Sequence, residues 1–350
     1  MTMTGEPQKR SRSVKLIDVA RRAGVDVSTV SRVIRGDDSQ RVREDTRQRI
    51  NEAVTALGYK ANAMARGLRT ARSQTLGLVL PRLDNPVFAD MFEGVEAAAR
   101  ARGYSVLISH RFNEKSGNAF LHLTEANRVD GLLVISYDSD DKLLEGLASV
   151  RVPVVMLNRR GLKGIGYVAH DSHAAAYMAT QHLLQLGHRH IGHLGGNLKG
   201  YNGSNRLKGY QAALADYGVA FDPSLVLEIG YDAEVAVEAT RQLVRQASVK
   251  PTAIFAATLM TGAGAMRALH EDGYQLPDDM SIVTLSDGPL AKLLHPQMTT
   301  VVLESHQMGM DGTNLLIDTL EFGAAGQRPD GKTLQPSGLA LRGSTKKLNN

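Results

Sequence analysis

The sequence lacks cysteine and tryptophan altogether, and aromatic residues make up only 5% of it. Without cysteine, the chain has no disulfide, no thiol nucleophile and no cysteine-ligated metal site. It also lacks any apolar run of about 20 residues, the length that a membrane-spanning helix needs. Residues 1–13 are polar and basic and contain no apolar signal segment, so we expect a cytoplasmic protein that does not bind membranes.

Acidic residues are scarce in the first fifth of the chain. Met1–Ser73 hold 16 Lys and Arg against 8 Asp and Glu, whereas the rest of the chain holds 25 against 28. The formal net charge of +5 therefore comes from the N-terminal segment. A local excess of cations is typical of a nucleic-acid-binding segment, because neutralising phosphates releases their counterions.

Two short amphipathic patterns in this basic segment predict a helix-turn-helix. The first pattern places its apolar residues on one helix face: Leu16, Val19, Ala20 and Ala23. It breaks at Gly24, which suits a sharp turn because glycine adopts a positive φ without strain, and Asp26 is placed to cap the next helix. The second pattern turns inward a similar set: Val30, Val33 and Ile34. Small polar residues and Arg32 remain on its outward face, which is what entry into the DNA major groove requires.

From Thr75 onward, short apolar runs alternate with amphipathic helical stretches. Continuous apolar strands separated by helices predict parallel sheets that are buried on both faces, and two successive sets predict two doubly wound lobes. Ligands of such folds bind at the carboxyl ends of the strands, here in the cleft between the lobes. We expect a disordered basic tail (1–13), a DNA-binding head (14–60) and a hinge helix or linker (61–73). The first lobe is expected to comprise 74–169 and 300–326. The second lobe with the C-terminal tail is expected to comprise 170–299 and 327–345.

Motifs along nearly the whole chain resemble the lactose/galactose-repressor (LacI/GalR-type) family of bacterial transcription regulators. The matching segments lie in the same order and spacing: Asp18–Val25, Ser28–Val33, Leu57–Tyr59, Ala65–Arg69, Asn85–Phe88, Val129–Gly131, Leu186–Arg189, Arg206–Tyr210, Pro277–Asp279 and Arg342–Ser344. The resemblance implies an all-α helix-turn-helix head joined to a two-lobed α/β effector domain of periplasmic-binding-protein type. It also implies a homodimer on a pseudo-palindromic double-stranded DNA operator, acting as a repressor that responds to a small molecule.

The resemblance assigns DNA contacts to one set of positions in the head and hinge: Leu16, Val27, Ser28, Thr29, Ser31, Arg32, Arg35, Tyr59, Asn62, Ala65, Leu68 and Arg69. The family's hinge helix matches residues 62–69. Leu68 would then be an apolar wedge in the central minor-groove step, which kinks DNA. Arg35 and Arg43 depart from the residues usual at these positions, and both substitutions add charge rather than base-reading capacity.

The family's effector contacts carry over to the cleft: Arg82, Phe88, His110, Arg111, Asn158, Asn202, Arg206, Tyr231, Ser286 and Asp287. Arg206 would hold ligand oxygens with its forked donors, while Phe88 and Tyr231 would supply flat apolar walls. Several positions that are usually acidic carry other residues, namely Arg82, Asn158, Leu259 and Ser286, although Asp171 and Asp287 remain. The cleft therefore has fewer acidic residues than is usual for the family, and His110 and Arg111 add basic groups to it. This balance of charge favours an anionic effector such as a sugar acid, a phosphorylated sugar or a small carboxylate.

Three other functions are each suggested by part of the sequence: an enzyme, a metal-binding protein and a solute-binding protein. Gly262–Arg267 follows a strand but lacks the third glycine of a dinucleotide-binding loop, and no catalytic set stands out, so we expect neither an enzyme nor a cofactor. Four histidines cluster along the second lobe, namely His182, His188, His190 and His193, and we expect structural roles for them rather than a metal site. A solute-binding protein of a transport system shares the two-lobed architecture. Such a protein must be exported, whereas this sequence begins with a basic DNA-binding head and not with a signal segment. The tail has no leucine heptads, so a dimer rather than a tetramer is expected.

Overall fold

The computed structural model describes residues 14–35, 42–59, 72–81, 86–110, 121–124, 128–135, 146–147, 150–160, 164–247, 249–323 and 331–348. The chain divides into two compact units, residues 1–73 and 74–350. None of the helices in these described ranges combines the length and the apolar character needed to span a bilayer.

The first unit contains three helices: α1 (Leu16–Ala23), α2 (Val27–Arg35) and α3 (Glu44–Leu57). Gly24 ends α1 with a φ of 67°, the left-handed conformation that only glycine adopts without strain. Asp26 accepts a hydrogen bond from the Ser28 amide at 2.7 Å and so caps α2. The predicted helix-turn-helix and its cap are therefore present.

Small aliphatic side chains form the core of this head. Its buried members come from all three helices: Val19, Ala20, Ala23, Val30, Val33, Ile50 and Ala53. Alanine at three of these positions allows the short helices to approach closely. Ile34, predicted to face inward, packs against this core while remaining partly exposed.

The second unit contains two six-stranded sheets, each covered by helices. The strands are β1 (Thr75–Leu80), β2 (Ser105–His110), β3 (Gly131–Ile135), β4 (Val154–Leu157), β5 (Gly166–His170), β6 (Ile191–Gly195), β7 (Val226–Glu228), β8 (Ala253–Ala256), β9 (Ser281–Leu285), β10 (Thr299–Val302), β11 (Lys332–Leu334) and β12 (Gly338–Ala340). The helices are α4 (Pro86–Ala101), α5 (Leu121–Thr124), α6 (Ser172–Gln185), α7 (Tyr201–Asp216), α8 (Ala233–Gln246), α9 (Leu259–Glu271), α10 (Pro289–Leu293) and α11 (Ser305–Phe322). A 3₁₀ turn, Pro223–Leu225, precedes β7.

The two sheets have the same strand order. The first runs β2-β1-β3-β4-β5-β11 and the second runs β7-β6-β8-β9-β10-β12. All neighbouring strands are parallel except β10 and β12. The central strands are buried on both faces, as their continuous apolar runs predict.

The chain crosses between the lobes at different points from those expected. Strand β10 still belongs to the second sheet, whereas β11 belongs to the first sheet and β12 returns to the second. By sheet membership, the crossings follow residues 170, 302 and 334, whereas the sequence pattern placed the last two near residues 300 and 327. A strand's sheet depends on its pairing partner, and an apolar run alone does not reveal that partner.

Candidate functional site

The head presents a polar surface at the start of α2. Ser28 is exposed, and Val27, Thr29, Ser31 and Arg32 are half-buried. Val27 packs partly against the head core and so fixes the orientation of this first turn. The Asp26 carboxylate accepts hydrogen bonds from the Ser28 hydroxyl and amide, and these bonds hold the pKa of Asp26 below its ordinary value. The positive end of the helix dipole and nearby hydroxyl donors suit contact with a polyanion.

The remaining DNA-contact predictions fall at the edges of this unit. Leu16 and Tyr59 are half-buried and pack against the head core. Arg35 ends α2, but its side chain lies outside the described part of the chain. The whole predicted hinge, with Asn62, Ala65, Leu68 and Arg69, also lies outside the described residues.

In the second unit, a polar cluster lies where the two lobes meet at the carboxyl ends of their strands. Asn202, in the first turn of α7, donates to the Asn158 carbonyl oxygen at 2.8 Å and accepts from the Ser172 hydroxyl at 2.9 Å. Asn158 follows β4 of the first lobe, so this bond joins the lobes directly. Gly203 beside Asn202 permits the close packing, because a Cβ there would lie 1.9 Å from the Asn197 carbonyl oxygen.

Equivalent backbone turns close the two sheets at this edge. Asn158 and Ser286 directly follow β4 and β9, and both have positive φ, 64° and 72° respectively. Each donates its amide at 2.9 Å to a carbonyl of the next strand, Val168 or Val301. Non-glycine residues in this conformation cost roughly 1 kcal/mol or more and cluster at functional sites.

Arg206 is the central charged group of this edge. Its side chain is buried, with 7% exposed, and its Nε and Nη1 atoms have no hydrogen-bond partner among the residues that the structure describes. The guanidinium lies over the Tyr231 ring, 5.8 Å from the centroid. Gly196 makes room for that ring, because a Cβ there would lie 2.3 Å from the Tyr231 hydroxyl. A buried cation with unused donors is costly unless an anion completes its shell.

His170, which was not predicted as a site residue, lies in the same region. It ends β5 and is 3% exposed, and within the described part of the chain neither ring nitrogen has a hydrogen-bond partner. Burial, aided by the charge of Arg206, lowers the pKa of His170 to about 4. Nothing in the apolar run that contains it identifies this histidine, because its position depends on the crossing between the lobes.

Two predicted effector contacts have other partners in the structure. The Asp287 carboxylate binds Arg342 at 2.8 Å and Thr300 at 2.9 Å. Burial alone would raise the pKa of Asp287, but these bonds outweigh it and hold the pKa below its ordinary value. Phe88 packs into the core of the first lobe and is 8% exposed, so it presents little surface as a ring wall.

The other predicted positions divide between the core and the undescribed parts. Leu259 is buried in the second lobe, and Asp171 caps α6 through the Ala174 amide at 2.9 Å. Arg82 and Arg111 lie outside the described residues, as does the side chain of His110.

Three of the four histidines of the second lobe have structural contacts. His182 and His188 bond Thr345 and Thr252 respectively, and His193 donates from its Nδ1 to the Phe255 carbonyl oxygen. The fourth, His190, is exposed. Within the described ranges, no three His, Asp or Glu side chains are grouped closely enough to hold a metal ion.

Comparison with known proteins assigns both units. Residues 15–62 match the lacI family of bacterial regulatory proteins, and residues 180–345 match a periplasmic binding protein-like domain. Catabolite control protein A of Priestia megaterium is 31% identical over 309 residues, which cover 87% of this chain and 92% of that protein.

Solved structures agree over almost the full length. The complex of the transcriptional regulator CelR with cellobiose is 30% identical, covers 95% of this chain and 99% of its own, and has a TM-score of 0.72. The lac repressor dimer bound to operator and the anti-inducer ONPF is 26% identical, covers 96% and 100%, and has a TM-score of 0.80. The predicted family and two-lobed fold are confirmed, and the chain belongs to the LacI family of transcription regulators rather than to an enzyme family.

Proposed function

We propose that this regulator is a homodimeric repressor that binds a pseudo-palindromic DNA operator and responds to a small anionic effector in the cleft between its lobes. The observation that carries the proposal is Arg206, a buried cation at the junction of the lobes with two donor nitrogens that have no partner in the described ranges. The lac repressor relative is a dimer bound to operator, which supports the same assembly here.

The head supports the DNA-binding part of this proposal. The first turn of α2 presents Ser28 to solvent and carries Thr29, Ser31 and Arg32 beside it. We assign base-edge contacts to Val27 and Ser28, a base or phosphate contact to Arg32, and phosphate contacts to Thr29 and Ser31. The hinge at residues 62–69, with Leu68 as the minor-groove wedge, remains a prediction.

The effector is proposed to be a hydroxylated carbon skeleton with a carboxylate or phosphate group. The CelR relative binds cellobiose, which supports a sugar-like skeleton. The negative charge of the effector is inferred from residues of this chain. Arg206 lacks a carboxylate partner among the described residues, and Asp287 is occupied by Arg342. Asn202 and Tyr231 are assigned to the skeleton, since an amide and an aromatic face suit hydroxyls and ring carbons.

Signalling is proposed to work by a shift between lobe arrangements. The hydrogen bond between Asn202 and the Asn158 carbonyl already spans the lobes, so an anion on Arg206 binds at a place where a lobe rotation changes contacts. A ligand that prefers one arrangement shifts the population toward it by its difference in affinity. Operator affinity then changes through the first lobes of the dimer.

Calorimetry with matched ligands tests the effector class. Full-length protein is titrated with glucose, gluconate and glucose 6-phosphate, then with ribose and ribose 5-phosphate. We expect heat of binding with at least one anion and none with its neutral partner, and we expect Arg206→Met to abolish it. Tight binding of a neutral sugar alone would contradict the anionic assignment.

Operator binding is tested separately with genomic fragments selected by the full chain. The affinity should fall steeply with salt, and Arg32→Ala should weaken it by about tenfold or more. Arg100→Ala is the matched control, because Arg100 is an exposed arginine on α4 that pairs with Glu96. Equal loss in both variants would remove Arg32 from the interface.

A further inference from the structure

The carboxyl edge of the sheets contains a second buried group without a partner, and it lies on the other side of the lobe junction from Arg206. His170 ends β5 in the first sheet, whereas Arg206 belongs to α7 of the second lobe. Both side chains are more than nine-tenths buried, and together they have four nitrogen atoms to which no described residue forms a hydrogen bond. The two are close enough for the charge of Arg206 to act on the His170 ring.

Such a pair is unfavourable as it stands. A buried polar atom without a partner destabilises the protein, and a buried cation without one does so more strongly. The amide of Asp171, the next residue, donates to the Leu334 carbonyl at 2.8 Å, so the backbone holds His170 at this crossing. An anionic group that contacts both side chains would accept hydrogen bonds from both and remove the penalty.

We propose that His170 is a second contact for the effector's anionic group, donating to an oxygen that Arg206 also binds, and that it takes up a proton from solvent when a dianion binds. This inference rests on the proposed function only in placing the anion at Arg206. His170 would select between anions, because a singly charged carboxylate is balanced by Arg206 alone whereas a phosphate or sulfate dianion requires a second positive charge.

Among the groups around His170, Arg206 is the charged group that affects its pKa. On α6, the Asp171 carboxylate is engaged by the Ala174 amide and by Gln335 at 3.2 Å. On α7, burial raises the pKa of Tyr201 and keeps it neutral. Strand β11 pairs Leu334 with His170.

His193, a second buried histidine on which the charge of Arg206 acts, is also neutral. Burial, partly offset by its bond to the Phe255 carbonyl and aided by Arg206, lowers the pKa of His193 on β6 to about 4. In the ligand-free protein, burial and then Arg206 likewise keep His170 neutral above about pH 4. A bound dianion reverses the sign of the local potential, so the pKa of His170 should rise into the range near neutrality.

Sulfate is the appropriate probe because its charge stays at −2 throughout the pH range of the experiment. The full-length protein is labelled on its histidine rings and titrated by NMR between about pH 5 and pH 8, with and without sulfate up to tens of millimolar. His170→Gln identifies the His170 resonance, and His173→Gln, an exposed histidine three residues along the chain, is the matched control.

We expect the His170 resonance to be flat over this range without sulfate and to titrate in its presence. The effect should vanish in Arg206→Met. At pH 6, His170→Gln should weaken sulfate binding about tenfold, and His173→Gln should leave it unchanged. Gluconate carries a singly charged carboxylate, so His170→Gln should change its affinity little.

A His170 resonance that stays flat at the highest sulfate concentration would overturn the inference, as would equal losses in both histidine variants. These outcomes are separable from the proposed function. If sulfate moves His170 but no anion alters operator binding, the anion subsite stands and the regulatory role fails.

Discussion

Buried polar groups at the amino ends of the strands in the second unit differ in their hydrogen bonding from those further toward the carboxyl ends. At the amino end, His188 bonds Thr252 at 2.9 Å and Ser281 at 3.1 Å, and Ser344 accepts from the Thr299 amide at 2.7 Å. Further toward the carboxyl ends of the strands, several buried side chains have polar atoms without a hydrogen-bond partner among the described residues: His170 of the first sheet, and His193, Arg206 and Thr284 of the second lobe. Paired groups specify a fold, whereas unpaired groups near a lobe junction indicate where a ligand completes the structure.

A surface depression at the amino end illustrates the same difference. A depression of about 430 Å³ opens at the amino end, beside Thr252 and Tyr274. Its acidic groups are already occupied, Asp272 by Arg241 at 3.2 Å and Asp279 by the Gln275 amide at 2.7 Å. The hydrogen-bonding state of the lining residues therefore discriminates better than volume between a surface depression and a binding site.

Removing a paired group at the amino end should have the largest effect. His188→Leu leaves the Thr252 and Ser281 hydroxyls with fewer partners in a buried site, so unfolding free energy should fall by about 2–4 kcal/mol. Urea denaturation measures this loss. His190→Leu, two residues along and exposed, should change it by less than about 0.5 kcal/mol, and comparable losses in both would break the contrast.

Acid should destabilise the ligand-free protein through the carboxyl end. His170 and His193 have a pKa of about 4 when folded, below the value of about 6.5 in an unfolded chain. The unfolded state therefore binds more protons below about pH 6.5, and stability present above that pH is lost progressively down to about pH 4.

Between pH 7.5 and pH 5.5 the two histidines together should remove about 2–3 kcal/mol of stability. Denaturation at each pH measures the slope, and His170→Leu should reduce it by roughly half, because one of the two groups is then missing. An unchanged slope in that variant would show that His170 is not held neutral by its surroundings.

Removing the unpaired cation should stabilise the ligand-free protein. Arg206→Met replaces a buried charge with an apolar side chain of similar length, and unfolding free energy should rise by about 1–3 kcal/mol while anion binding is lost. Lys208→Met, on the exposed face of the same helix, is the control. A fall in stability for Arg206→Met would mean that this guanidinium is part of the structural network instead.

The smallest contrast uses two buried threonines of the same sheet. Thr284 Oγ1 has no partner, so Thr284→Val should be neutral or slightly stabilising. Thr299 accepts from the Arg342 amide at 3.0 Å, so Thr299→Val should cost about 1 kcal/mol. Thermal denaturation of both variants, measured side by side, checks the order, and the reverse order would refute the pairing argument.

The sequence predicted the parts of this molecule that local pattern controls. The spacing of Val19, Ala20 and Ala23 and the break at Gly24 define the head, because helix period and glycine conformation are properties of a few adjacent residues. Arg206 and its helix were identified through the family resemblance, and the structure adds that this arginine is buried and that no carboxylate of the described residues pairs with it.

Features that depend on distant segments were not predictable. Asp287 is occupied by Arg342, which lies 55 residues further along the chain. Phe88 packs inward because the first lobe's core needs its volume, and His170 gains its position from the crossing between two sheets. Neither pairing nor crossing leaves a local signal in composition or periodicity.

The most direct test of the account measures operator affinity of the full-length wild type and of Arg206→Met by fluorescence anisotropy, with and without the anionic ligand found by calorimetry. The account predicts salt-sensitive operator binding by both proteins. It predicts that the ligand changes the affinity of the wild type by about fivefold or more and leaves that of the variant unchanged. An unaltered ligand response in Arg206→Met, or duplex binding that does not depend on salt, would contradict it.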